Sequence, residues 1–399
     1  MVRLIKYELR KHFLKRSILI IILIFSVINA VKIQSVYQGN SYLYKDTVWN
    51  EVYWQLYEAY SGSITLEKID QLLSIYWPLE QQTADLTAST AMDNPNTYTG
   101  NLYSDFYLLR DYYVRPMEYA YMYRYNANEI VRIAQENMDF YSEIGNEYKY
   151  LENEIIAERF SGRGIDDFAY MEMYQYYLEY DFSALLVLLI CLYGLVGVFV
   201  SERESDMDAV LLTTISGGRK TVIAKILSSM LFIFAVCLWF WLLDFALFSF
   251  SFGSLEAADL PLYGLKNFEN TALSLSMGQY AFLAAIIKTG GMTVVGMAFL
   301  FISSVSKNAL IPFAANLTLT GGIILQQEIM AGSEYVLAKI INPFILVSNS
   351  ELFKEIEFIN FFDTPILSYV AAPLIAAIIG VILIILLLLT ARVNAAVGR

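Results

Sequence analysis

Six stretches of this chain are apolar for long enough to cross a lipid bilayer: residues 17–33, 182–200, 226–252, 280–304, 309–326 and 366–390. That property constrains every other reading. A hydrocarbon core about 30 Å thick takes roughly 20 apolar residues of helix to span. Inside it each backbone donor must be paired within the segment, as it is in a helix. Composition agrees, with 57 % hydrophobic and only 17 % charged residues and a mean hydropathy of +0.48. A soluble chain carries about 25 % charged residues. A soluble enzyme and a disordered protein are therefore excluded. With a net charge of −12 there is no basic face for nucleic acid either. Both cysteines, Cys191 and Cys237, lie inside apolar runs, and His12 is the one histidine. That inventory builds neither a disulfide framework nor a His/Cys metal site.

Lys and Arg set the expected orientation, because cytoplasmic flanks retain positive charge. Thirteen fall on one side: six in residues 1–16, then Arg203, Arg219, Lys220 and Lys225, then Lys307, Arg392 and Arg399. The other side, apart from its long insertion, holds only Lys32, Lys266, Lys339 and Lys354. Both termini are expected to be cytoplasmic. Residues 1–16 read as an interfacial amphipathic helix, with Val2, Ile5, Leu9 and Phe13 opposite Arg3, Lys6, Arg10 and Lys11. No small-residue cleavage site follows the first run, so it reads as a span and not as a signal peptide.

Residues 34–181 form a domain-sized insertion, placed outside the cell by this topology. It carries 24 Asp/Glu against 9 Lys/Arg and 24 of the 30 tyrosines. Helical spacing dominates, as in the face made by Trp49, Val52, Tyr53, Leu56, Tyr57 and Tyr60. A second face from Leu66 to Tyr76 is expected to stop at Pro78. One or two long helices are expected between Glu118 and Phe160, with Gly145 as a break, and a loop from Thr83 to Gly100. The expected fold is thus an all-α integral membrane protein with six transmembrane helices and a mainly helical extracellular domain. Two readings of the tyrosines stay open. They fill the core and rim of a bundle, or they form a binding surface, since Tyr is cheap to immobilise.

Residues 201–225 form a charged cytoplasmic loop. It runs Phe199-Val200-Ser201-Glu202-Arg203-Glu204, then Met207-Asp208-Ala209, Leu211-Leu212, Thr214, Ser216-Gly217-Gly218, Arg219 and Lys225. This pattern resembles the permease subunits of ABC transporters, in particular the type-2 exporters. Relatives there follow span two with Phe, Glu-Arg-Glu, Leu-Leu-x-Thr, a small-residue turn, Arg and a later Lys. The family often has Gly where Met207-Asp208-Ala209 stands here. The layout is similar too, with its interfacial helix, six spans, a re-entrant segment at 327–365 and a tail at 391–399. The branch with a large domain between spans one and two fits best. The resemblance implies that Glu202, Arg203, Glu204, Met207, Leu211, Leu212, Thr214 and Arg219 couple to a separate ABC ATPase. It further implies a second permease subunit, identical or paralogous, and residence in a bacterial plasma membrane. No cofactor is expected in this chain, and ATP and Mg would sit on the partner. Gly218-Arg219-Lys220-Thr221 has its Lys one place late for a phosphate-binding loop.

Two charges fall inside spans, where each costs roughly 2.5–3.5 kcal/mol. Asp244 and Lys288 sit at similar depth in the outer half, so an ion pair between them is expected, tying two helices or lining a vestibule. Asn29 and Asn316 are expected to bond between helices. An exporter of a peptide, antibiotic or other amphipathic compound is the leading function. The alternative is an ABC-linked signalling or mechanical transducer whose external domain moves without transport. A polytopic enzyme would need a cluster of catalytic types that one histidine does not supply.

Overall fold

A computed structural model describes residues 1–85, 98–205, 207, 218–330, 333 and 335–397, with side chains to 390. The chain is mostly helical and divides into two compact units. The first comprises residues 1–32, 177–247 and 281–399, and the second comprises 33–176 and 248–280.

The first unit holds the apolar helices. Five helices among the described residues are long and apolar enough to cross a membrane. They are Arg16–Asn40, the helix ending at Glu204, Arg219–Phe252, Met277–Val305 and the helix beginning at Ser368. The expected fifth span is also a helix, Leu310–Met330, but it does not belong to that group. Pro312, Asn316, Thr318, Thr320 and the Gln326-Gln327 pair dilute its apolar content. Helix Phe182–Glu204 is the hub, with Cys191, Leu195, Val198 and Val200 fully enclosed. Gly296 shows how closely its neighbours approach. A Cβ there would lie 2.5 Å from Ile233 Cδ1 and 3.2 Å from Leu195 Cδ1, so three helices approach closely at this glycine and a larger residue needs those side chains to shift.

At the N-terminus, Val2–Glu8 continues as a π-helical turn over Leu9–Phe13. Phe13 is buried and stacks on Phe232 with centroids 4.4 Å apart. Val2 is exposed, while Glu8 and His12 are buried, so the covered stripe is more polar than the sequence pattern suggests. Residues 336–354 form short helices whose Ile340, Phe344, Ile345, Leu346 and Val347 are buried within this unit. A hairpin follows, pairing Phe358–Phe361 with Thr364–Leu367. Its turn residues Phe362 and Asp363 both have positive φ, and Asn360 accepts a hydrogen bond from Asp363 N.

The second unit is a helical bundle. Arg115–Glu143 and Glu147–Phe160 form its long hairpin, reversing at Gly145 with φ +70°. Thr47–Tyr60 starts at Asp46, whose carboxylate accepts from Val48 N and Trp49 N. Pro78 does not stop its helix, which runs from Leu66 to Asp85. Pro78 and Ser74 both face solvent, so the carbonyl that loses its partner stays hydrated. Of the expected loop at 83–100, residues 86–97 lie outside the described residues. The connection 253–279, assigned to no domain from sequence, folds with this unit. Tyr119 and Tyr123 donate to the carbonyls of Tyr263 and Glu269, and Arg163 donates to that of Thr271. Tyr53, Tyr57, Tyr60, Tyr113 and Tyr123 are buried, so many tyrosines do fill a core.

Candidate functional site

The Glu202-Arg203-Glu204 run ends the central helix, and all three side chains are used inside the first unit. Glu202 is 7 % exposed and accepts Lys11 Nζ on Oε1 at 2.5 Å and Lys225 Nζ on Oε2 at 2.6 Å. Lys225 is 1 % exposed; it also donates to the Val198 carbonyl at 2.7 Å and lies over the Phe199 ring. Arg203 donates to the carbonyls of Ser304 and Ser306 at 2.5 and 2.6 Å. Those carbonyls close the end of helix Met277–Val305, where a guanidinium also meets the negative end of the dipole. Glu204 accepts from Ala309 N at 2.8 Å, just ahead of helix Leu310–Met330. Consecutive charges thus fasten the central helix to the N-terminal helix and to three others.

The rest of the expected coupling segment is less enclosed. Met207 is half exposed and Arg219 is exposed. Leu211, Leu212 and Thr214 lie outside the described residues.

Glu8 and His12 extend the network in a way the sequence pattern had not indicated. His12 Nε2 lies 3.3 Å from Glu8 Oε2, both buried, and one ligand atom from each of Glu8, His12 and Glu202 falls within a 4.8 Å cluster. Distance alone would admit a cation. However, Glu202 already holds an ammonium on each oxygen, and the carboxylates of Glu8 and Glu202 balance Lys11 and Lys225. A dication would leave the buried cluster with two excess positive charges, whereas the two ammonium groups already balance it as a charge lock. Burial pushes His12 below its ordinary range despite the adjacent Glu8 carboxylate, which keeps the imidazole neutral.

Asp244 and Lys288 line one cavity of about 70 Å³, together with Tyr177, Ser183, Trp241 and Thr289. That volume has room for several waters. The structure brings the two charges to the same cavity, but their closest contacts lie elsewhere. Asp244 Oδ1 accepts from Asn29 Nδ2 at 2.5 Å, and Asn29 Oδ1 accepts from Tyr180 at 2.8 Å. Lys288 pairs with Asp181 Oδ1 at 2.7 Å, whose other oxygen accepts from Ser348 Oγ. Asp181 was grouped with the insertion on sequence, yet it stands at the head of helix Phe182–Glu204, within reach of a charge inside the unit. Asn29 does bond between helices as expected, and Asn316 Nδ2 reaches the Phe299 carbonyl at 3.4 Å. No protein-family model, curated protein or solved structure matches this chain.

Proposed function

We propose that this chain is the permease subunit of an ATP-binding-cassette exporter. It would lie in a bacterial plasma membrane with both termini cytoplasmic, Leu310–Met330 completing six spans, and the tyrosine-rich unit outside. A second permease subunit would share the pathway, and separate ATPase subunits would bind ATP and Mg. The single observation that supports this reading is the fastening at residues 202–204. A push on the segment after Glu204 is carried at once to the N-terminal helix through Lys11. It reaches helix Arg219–Phe252 through Lys225 and the end of Met277–Val305 through Arg203. A device driven by a partner at that segment needs such rigid linkage, because packed elements respond as units. The strongly apolar helices suit an amphipathic cargo, such as a peptide or antibiotic.

Arg203→Gln tests it. That change removes the bonds to the Ser304 and Ser306 carbonyls while keeping the stem. In the reconstituted complex it should preserve ATPase binding and uncouple hydrolysis from movement of helix Met277–Val305, followed by a probe on that helix. Unchanged coupling would refute the transmission route.

A further inference from the structure

The second unit contains a cavity of about 650 Å³ walled by aromatic rings, with the Glu172 carboxylate and an Arg110–Asp111 pair among them. Trp49, Tyr53, Tyr112 and Tyr170 all line it. Tyr53 stands edge-on to both Tyr112 and Tyr170, at 5.6 and 5.8 Å between centroids, and Trp49 is perpendicular to Tyr112 at 6.3 Å. A volume of this size belongs to the range of small-molecule sites.

Glu172 supplies the carboxylate. Its Oε2 accepts from Tyr170 OH at 2.8 Å and from Ser41 Oγ at 3.1 Å, and Tyr112 bonds it as well. All three donors are neutral. Burial, and next the Glu172 charge, raise the Tyr112 and Tyr170 phenols, so they remain protonated donors. Among the described residues no Lys or Arg forms an ion pair with Glu172. The cation in the lining, Arg110, is held by Asp111, also in the lining, through two bonds of 2.8 and 2.9 Å. Glu172 therefore stands among the rings without a paired Lys or Arg among the described residues, and burial, which disfavours an unpaired charge, raises its carboxyl above the usual range.

We propose that this cavity binds an organic cation through an alkylated, quaternary-type ammonium group. Aromatic faces attract such a cation, most strongly where water is excluded. The choice of a quaternary over a primary ammonium follows from hydrogen-bond inventory. A carboxylate offers about four acceptor positions, and three are taken by hydroxyls. A primary ammonium needs its three donors satisfied, whereas a quaternary one needs none. The acidity of residues 34–181 attracts cations toward the unit from a distance. This inference holds whether or not the first unit transports anything.

The test is calorimetric titration of the full chain in detergent with choline, with ethanolamine as the primary analogue and 3,3-dimethylbutanol as the uncharged carbon isostere. Heats into empty micelles are subtracted. Choline should bind at least about tenfold more tightly than either analogue. Glu172→Gln, which keeps the shape and removes the charge, should weaken choline about tenfold or more and leave the isostere unchanged. Absence of choline binding, equal binding of the isostere, or ethanolamine binding as tightly as choline would each overturn the proposal. The comparison of ligands on the unaltered chain decides the matter even where the variant fails to fold.

Discussion

Replacing Lys225 by Met isolates the energetic core of the charge lock. The ammonium gives up Glu202 Oε2 at 2.6 Å and the Val198 carbonyl at 2.7 Å. Removing one member of a buried pair costs about 3–5 kcal/mol, and an orphaned buried acceptor about 1–3 kcal/mol of that kind. Two effects offset the loss. Lys11 still neutralises Glu202 from the other oxygen, and Met refills most of the volume of the lysine stem. We therefore expect about 3 kcal/mol. Lys11→Met should cost only about 0–1 kcal/mol, because that side chain is 30 % exposed and Glu202 keeps its better-buried partner. Glu202→Gln alone strands the Lys225 charge and should match Lys225→Met. The double variant Glu202→Gln/Lys225→Met strands no charge, so it should cost about 2 kcal/mol less than the sum. Equilibrium unfolding in mixed micelles with increasing SDS reads all four. Additive losses, or a Lys11 variant as damaging as the Lys225 variant, would refute the buried-pair argument.

Further outcomes follow from the same geometry. Lys288→Met and Asp181→Asn should show the larger coupling in their losses of stability, and Lys288→Met and Asp244→Asn a smaller one, since the direct ion pair runs to Asp181 while Asp244 shares only the cavity. In the same unfolding assay, Asn29→Ala and Asp244→Asn should couple to each other. His12 is held below its ordinary value of about 6.5, so the unfolded chain takes up a proton that the folded chain refuses. Stability should consequently fall as pH drops below about 6.5 and level off under the lowered folded value, and His12→Gln should flatten that part of the profile. Gly296→Val forces atoms against Ile233 and Leu195 and should cost about 1–3 kcal/mol, measured as a lowered unfolding midpoint.

The apolar runs were legible because a helix that crosses a membrane leaves a long, uninterrupted signal. The tyrosine-rich insertion was legible by helical spacing, including the reversal at Gly145. What failed was local. Pro78 was read as a stop because its ring removes a backbone bond, but at a solvent-facing position the unpaired carbonyl is open to water and the helix continues. Glu8 and His12 looked like polar residues of an interfacial helix, and only burial against Glu202 and Lys225 reveals them as part of a lock. Lys288 was matched to Asp244 by depth along the chain, a one-dimensional criterion blind to Asp181 at a helix head. The residues that join 253–279 to the second unit include two tyrosine hydroxyls and the Arg163 guanidinium meeting backbone carbonyls, which leave no periodic trace. Likewise Glu172 was one of many acidic residues until the fold enclosed it among rings.

The most direct test of the central claim is mild-detergent purification of this chain from its native membrane, followed by quantitative mass spectrometry of what remains bound. The account predicts an ATPase subunit with a phosphate-binding loop in near-equal amount, retained by the unaltered chain. Its absence, under conditions that keep a known membrane complex intact, would contradict the permease reading.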